Sequence, residues 1–185
     1  MKRSDPSWYF EGYHAETVTG KNGRGKTVYR YDGPLWDPEW TGAQLRRAKI
    51  AYGGDLLLFT LLWLWLNLWP ADGGYMIWVG GFSFCVIAPL MFLWIGMVHF
   101  LREHPPWTKR EYWTGWRRMF RSAVPVAALA DAAAAGEAVY LMLYSERFGA
   151  NLTYFLGLIA CGVLVTLLAI ELGRKRPRLI EEEPH

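Results

Sequence analysis

Apolar residues are gathered into four long segments of this chain, and polar residues occupy the stretches before and between them. The four segments cover residues 50–69, 76–101, 122–144 and 152–172. A helix of about 20 residues crosses the hydrocarbon core of a bilayer. The first segment reaches that length by including Asp55, and the third by including Asp131 and Glu137. The pattern predicts an all-α integral membrane protein built as a four-transmembrane-helix bundle.

The connections between these segments alternate in length. Residues 70–75 and 145–151 are short, whereas residues 102–121 form a longer loop. Short connections join antiparallel neighbours, so we expect two antiparallel hairpins of transmembrane helices. Within the second segment, Pro89 is expected to kink the helix, because proline lacks an amide hydrogen and its ring crowds the preceding turn.

The first 40 residues are polar but contain too many aromatic side chains for a disordered tail. Two β-prone runs, residues 17–19 and 27–31, flank a stretch at 20–25 that is rich in Gly and Asn. This arrangement predicts a β-hairpin. An isolated two-stranded hairpin is marginally stable in water. We therefore expect it to dock on its own bundle or on a partner protein.

Thr41 follows this segment and is a suitable N-cap for a helix that leads into the first span. The predicted organisation has three parts. They are an aromatic-rich cytosolic segment (1–40), a transmembrane region (41–173) and a cytosolic tail (174–185).

The basic residues are sorted by the four segments. Of the 20 Lys and Arg residues, all but Arg147 lie before the first segment, in the loop 102–121 or after the fourth segment. Short loops rich in Lys and Arg stay cytoplasmic. This sorting predicts a multi-pass protein of the plasma or inner membrane with both termini in the cytoplasm. Topology and anionic headgroups account for the net charge of +3, so no nucleic-acid partner is predicted.

Tryptophan and arginine residues precede the first and third segments, and we expect them to be interface anchors that contact anionic headgroups. The anchors are Trp40, Arg46, Arg47, Trp113, Arg117 and Arg118. Both groups begin with Trp-Thr-Gly. Two explanations remain open at this stage: internal duplication of an interfacial helix followed by a hairpin, or independent adaptation to the same interface.

Asp131 and Glu137 are the intramembrane acidic candidates. Six positions separate them, which is about 9 Å along a helix and about 120° around it, so they cannot form one carboxylate dyad. Ala128, Ala132 and Gly136 recur every four residues, a pattern that lets helices approach closely. We expect Asp131 beside such a contact and Glu137 nearer the outer face, within reach of water. Each is either a functional acid or a structural acid that fixes helix register.

No motif in the sequence indicates catalysis. His99 and His104 have a spacing seen in di-iron membrane enzymes, but the chain has only 4 His, too few for such a site. Cys85 and Cys161 lie inside predicted spans, where a thiol acts as a small apolar group. Phosphate-binding loops and nucleophile elbows are absent. We therefore expect no enzyme activity, no cofactor and no metal.

Two functions are consistent with this sequence. The leading hypothesis is a non-enzymatic accessory or scaffold subunit that engages a partner membrane protein or anionic lipid on the cytosolic side. The alternative is a small transporter or channel in which a homodimer of four-span units couples protons or cations through Asp131 and Glu137.

Overall fold

The computed structural model of the chain describes residues 11–19, 25–69, 77–144 and 148–180. These residues form six α-helices: α1 (Gly42–Leu68), α2 (Ile77–Cys85), α3 (Ile87–Arg102), α4 (Lys109–Tyr112), α5 (Arg118–Leu143) and α6 (Phe148–Arg174). A π-helical turn, Trp113–Arg117, joins α4 to α5. They also form four strands: β1 (Tyr13–Thr19), β2 (Gly25–Tyr31), β3 (Leu35–Asp37) and β4 (Arg178–Ile180).

Four helical stretches among the described residues are long and apolar enough to cross a membrane. They are Gly42–Leu68, Ile77–Arg102, Lys109–Leu143 and Asn151–Arg174. The four apolar segments of the sequence are therefore confirmed as helices. Two of these stretches begin well before their apolar segment, at Gly42 and Lys109, and the other two end one or two residues past theirs, at Arg102 and Arg174. These four residues mark one end of the bundle. We call this the basic end of the bundle.

Two helices at the basic end begin with the same capping arrangement. Thr41 accepts a hydrogen bond at Oγ1 from the Gln44 N–H (3.3 Å), and Gln44 Oε1 accepts one from the Thr41 N–H (2.9 Å). Thr108 and Glu111 repeat the exchange at 3.3 and 2.8 Å. Such capping boxes satisfy two of the amide groups that a helix start leaves without partners. The N-cap predicted at Thr41 is confirmed.

This capping changes the register in which the two halves of the chain correspond. Trp40 directly precedes the Thr41 cap, and Trp107 directly precedes the Thr108 cap. Trp113, by contrast, lies inside the helix, in the π-helical turn. Trp107 is therefore the structural counterpart of Trp40. Aligning the two Trp-Thr-Gly triplets matches positions with different roles.

The second long apolar helix is interrupted near Pro89, where the sequence predicts a kink. α2 ends at Cys85 and α3 begins at Ile87, with a turn at Val86 between them. Pro89 has no amide hydrogen to donate to the Cys85 carbonyl, and its ring crowds that same carbonyl. The Leu90 N–H donates to the Val86 carbonyl at 3.0 Å, so the chain resumes a regular helix after the break.

The helices are packed unequally around the bundle. α5 packs along α6 and also against α2 and α3, whereas α1 packs mainly against α6.

α1 and α3 are joined near the basic end, where Lys49 Nζ donates to the carbonyls of Leu101 (2.9 Å) and Glu103 (2.7 Å). Trp94 Nε1 donates to Thr60 Oγ1 at 3.0 Å. Beyond that bond, an apolar groove of about 720 Å³ separates α1 from α2 and α3. The second hairpin is therefore closed and the first is splayed.

A small layer of backbone covers the basic end. β3 pairs antiparallel with β4, with Trp36 opposite Leu179. Trp36 also exchanges two backbone hydrogen bonds of 2.8 Å with Trp107. We call the layer formed by β3, residues 103–117 and β4 the platform. The tail that sequence analysis sets apart at 174–185 thus contributes a strand to it.

The N-terminal hairpin is confirmed. β1 and β2 pair antiparallel from Tyr13 opposite Tyr31 to Thr19 opposite Gly25. Of the turn predicted at residues 20–25, residues 20–24 lie outside the described residues and Gly25 begins β2. β1 begins and β2 ends beside the platform, so the base of the hairpin lies against the loop between α3 and α4.

Candidate functional site

An aromatic cluster fixes the platform to the bundle. Trp116, in the π-helical turn, is 2% exposed and lies at its centre. Its ring centroid is 5.5 Å from that of Trp40, 5.6 Å from Phe100, 6.1 Å from Trp107 and 6.2 Å from Tyr52. Aromatic pairs at these separations contribute about 0.5–1.5 kcal/mol each beyond the area they bury. The cluster therefore joins α1, α3 and the platform into one unit.

The hairpin is attached to the platform by its two base tyrosines. Tyr13 Oη donates to Thr108 Oγ1 at 3.3 Å. Tyr31 Oη accepts from the Lys109 N–H (3.2 Å) and donates to the Pro34 carbonyl (2.8 Å). Burial is the main cause that raises the pKa of Tyr31 above its ordinary value. The hydroxyl therefore keeps its proton and can donate it to the Pro34 carbonyl. The hairpin thus docks on its own chain, one of the two sites expected from sequence.

A cavity of about 620 Å³ opens between the hairpin base and the platform, and we call it the basic pocket. One wall is the stacked pair of Trp36 and Tyr112, whose ring centroids are 5.1 Å apart and whose planes differ by 1°. Three cations line the pocket: Lys109, Arg117 and Arg176. An aromatic surface faced by several cations is suited to an anionic group with an apolar part.

Each cation of the basic pocket is held by a neighbour. The Arg117 guanidinium lies 3.4 Å from the centroid of the Trp113 ring, a cation–π contact. Arg176 Nε donates to Tyr112 Oη at 3.5 Å. Lys109 Nζ forms an ion pair with the Glu11 carboxylate. The charges are thus positioned by the fold before any ligand binds.

A second cavity of about 200 Å³ adjoins the basic pocket. It shares Tyr112, Arg117 and Arg176 with the pocket and adds Arg121 together with apolar residues of α5 and α6. The polar region is therefore continuous with the sides of the third and fourth spans.

The predicted interface anchors fall into two groups. Trp40 and Trp113 are half-buried, as are Arg117 and Arg118, and three of these four have the packing partners described above. Arg46 and Arg47 are exposed on the first turns of α1. All six lie at the basic end. Their contact with lipid headgroups stays a prediction.

Asp131 lies at the surface of the bundle, on the seam between α5 and α6. Its Oδ2 accepts a hydrogen bond from Thr166 Oγ1 at 3.3 Å. Gly162 of α6 faces it so closely that a Cβ there would overlap Asp131 Oδ1. The tight contact expected beside Asp131 is present, and the hydrogen-bond donor to its carboxylate lies on α6.

Glu137 lies on a different face of α5 and is 0% exposed. The expectation that it reaches water is therefore wrong: the neighbouring helices close over it. Ser83, Asn151 and Tyr154 are also buried, at 5%, 0% and 3% exposure. Asp131 and Glu137 are not brought together, as their spacing predicts.

Sequence reasoning missed several residues of the basic pocket and the aromatic cluster. These are Trp107, Tyr112, Trp116 and Arg176. A signal was available for the first three, because aromatic and basic residues are interleaved through residues 107–121. No such signal existed for Arg176, since tertiary packing of α6 along α5 and the pairing of β4 with β3 bring the C-terminal tail beside the loop.

No three His, Cys, Asp or Glu side chains converge on a position for a metal ion within the described ranges. Comparison with protein-family models, with curated proteins and with solved structures found no match to this chain.

Proposed function

We propose that this chain is a non-enzymatic accessory or scaffold subunit of the plasma or inner membrane, which engages a partner protein or anionic lipid through a cytosolic platform. The platform is the observation that supports this most. It joins β3, β4 and the loop between the second and third spans at the end of the bundle where the basic residues lie. The sorting of Lys and Arg supports a cytoplasmic position for that end.

The hairpin is the part of this assembly best suited to a protein partner. It is attached at its base, through Tyr13 and Tyr31. Farther from the base, Val28 is 41% exposed and Tyr29 is 72% exposed. The two described strands of this sheet also leave their outer backbone edges unpaired, and such edges can accept another strand.

The test compares two variants of the full-length chain in native membranes. Val28→Thr with Tyr29→Thr removes the exposed apolar surface and keeps residues that favour strands. Glu16→Gln with Arg30→Gln changes the same hairpin without removing apolar surface. The first pair is expected to abolish a cross-linked complex that the second pair retains, with unchanged membrane insertion. A wild-type chain that holds neither a stoichiometric partner nor anionic lipid in native nanodiscs would overturn the proposal.

The second candidate is the homodimeric transporter or channel, and complete burial of Glu137 within the bundle is the observation that favours it. An acid inside the membrane region is a candidate proton or cation site. Proton flux in proteoliposomes should then fall at least tenfold in Glu137→Gln or Asp131→Asn. This threshold is conservative, because loss of a proton-transfer residue typically lowers a rate by about 10²–10⁴-fold. Absence of flux in the wild-type chain rejects this candidate.

A further inference from the structure

The basic pocket concentrates positive charge without enough negative charge to balance it. Arg117 experiences the charges of both Arg121 and Arg176. Among the described residues that line the pocket and the adjoining cavity, Glu11 is the one carboxylate, and it is paired with Lys109. Three guanidinium groups therefore face one region, and an anion bound between them would relieve their mutual repulsion.

The residue types match one class of anion. Arginine presents a planar fork of N–H donors that binds phosphate through two parallel hydrogen bonds. Arg117 and Arg176 are on different elements, the π-helical turn and the tail after α6, and both line the same two cavities. A phosphate between them can accept from both forks, and its ester bonds carry the rest of the ligand away from the arginines.

The surroundings of the pocket indicate how the rest of the ligand is built. The adjoining cavity is lined by Phe120 and Leu172 at the start of α5 and the end of α6. Phe120 is 38% exposed and lies on the side of the third span. A ligand with its phosphate at the arginines can thus extend an apolar chain along the helices. The stacked Trp36 and Tyr112 rings cover its other side.

We propose that the basic pocket binds the phosphate of an anionic phospholipid, with Arg117 and Arg176 as its two main ligands. This proposal rests on the proposed function, since it assigns a lipid class and a site to the platform. The aromatic wall excludes water from the headgroup, and Arg121 adds a third donor at the side of the pocket that faces the spans.

The test uses full-length chain in nanodiscs that contain phosphatidylcholine with a minor fraction of phosphatidylglycerol or phosphatidic acid. Native mass spectrometry counts the anionic lipids retained after release. Arg117→Gln with Arg176→Gln is expected to reduce retention roughly tenfold or more, because each lost charge-assisted bond changes affinity severalfold. The matched control, Arg102→Gln with Arg110→Gln, removes equal charge from exposed sites at the same end that belong neither to the predicted anchors nor to either cavity, and it should retain the lipid.

A third variant separates lost binding from lost folding. Arg117→Lys with Arg176→Lys keeps the charge and removes the fork, so retention should lie between wild type and the glutamine pair. Lipid retention is compared only among variants whose elution volume and thermal midpoint match those of the wild-type chain. Should the glutamine pair aggregate, Arg176→Gln alone replaces it. Equal retention by the pocket variants and the control overturns the site.

The source of the phosphate is tested by competition. Inorganic phosphate and glycerol 3-phosphate are added to neutral nanodiscs and to nanodiscs with anionic lipid. The lipid proposal predicts that neither displaces the lipid at millimolar concentration. Displacement by either compound overturns the lipid assignment in favour of a free phosphate compound. Loss of lipid binding with an intact partner complex overturns this site alone, so its failure is distinguishable from failure of the accessory function.

Discussion

Gly96 lies where α3 crosses the π-helical turn, and its lack of a side chain sets how closely the two elements approach. A Cβ at this position would lie 2.9 Å from the Met119 amide nitrogen and 3.2 Å from the Gly115 carbonyl oxygen. Gly115 itself faces the backbone of Phe100, where a Cβ would meet the amide nitrogen at 3.4 Å. Gly96 therefore depends on the absence of a side chain, because the Met119 amide and the Gly115 carbonyl are backbone atoms that cannot rotate away, whereas a Cβ at Gly115 would lie at ordinary contact distance.

Gly96→Ala is predicted to destabilise the protein. Overpacking a close contact costs about 1–3 kcal/mol. Gly81→Ala is the matched control, because Gly81 lies in the same span and a Cβ there meets nothing within 4 Å. Thermal unfolding in detergent, followed by loss of the monodisperse elution peak, should show a lower midpoint for Gly96→Ala alone. Equal midpoints for the two variants would contradict the close crossing.

Lys49, near the start of α1, caps the C-terminal end of α3, a role that its place in the sequence does not predict. Its ammonium group donates to the Leu101 and Glu103 carbonyls, which the end of α3 leaves without helical partners. Lys49→Met keeps an unbranched apolar side chain, shorter by one atom, and removes both bonds. We predict a loss of about 1.5–3 kcal/mol in unfolding free energy, the range for hydrogen bonds to charged groups.

Arg46→Met is the control for Lys49, since Arg46 is exposed on the same helix. It should change the unfolding free energy by less than about 0.5 kcal/mol, as surface substitutions usually do. Denaturant unfolding monitored by tryptophan fluorescence measures both variants. An equally small effect for Lys49→Met would show that water replaces its two bonds without loss.

At the scale of elements, β3 is the centre of the platform because it is paired on both sides. One edge meets β4 and the other meets Trp107. Two-stranded sheets are marginal alone, and this strand is only three residues long. Its stability therefore depends on the tail and on the loop together, with the Arg178 to Glu39 ion pair (3.2 Å) adding little because both groups are exposed.

Deletion of residues 178–185 is predicted to release β3. Hydrogen exchange of the amides in residues 35–37 should accelerate at least tenfold, because β4 and its ladder bonds are gone and local opening becomes easier. Deletion of residues 181–185 alone leaves β4 in place and is the control. Unchanged exchange after the larger deletion would mean that Trp107 by itself holds β3.

At the scale of the whole molecule, the charge asymmetry between its two ends predicts one orientation in the membrane. Single cysteines are placed at the exposed positions Arg110, at the basic end, and Gly149, at the opposite end, in a chain with Cys85 and Cys161 replaced by Ala. A membrane-impermeant maleimide should label Gly149→Cys in intact cells and Arg110→Cys only after permeabilisation. The reverse labelling would contradict the cytoplasmic platform.

Local sequence patterns are enough to define the four helices and the N-terminal hairpin. A run of about 20 apolar residues forms a helix in a bilayer, because a helix pairs all of its backbone polar groups internally. β-prone runs around a Gly-rich turn favour a hairpin. Pro89 and Thr41 act through local backbone geometry, so their effects are also predictable. The spacing of Asp131 and Glu137 likewise excludes a shared site, because the angle between two residues of one helix follows from their separation in sequence.

The remaining features are decided by tertiary structure. Glu137 is buried because neighbouring helices cover its face of α5, and helix neighbours are not encoded in local hydropathy. The pairing of β3 with β4 joins residues about 140 positions apart. It is made by backbone hydrogen bonds, which every non-proline residue can form, so the sequence contains no pattern that predicts it. Arg176 reaches the basic pocket because α6 packs along α5 and places its C-terminal end beside Phe120 and Arg121. Sequence alone thus determines which segments are helices and which end is basic, whereas packing decides which cations face one another.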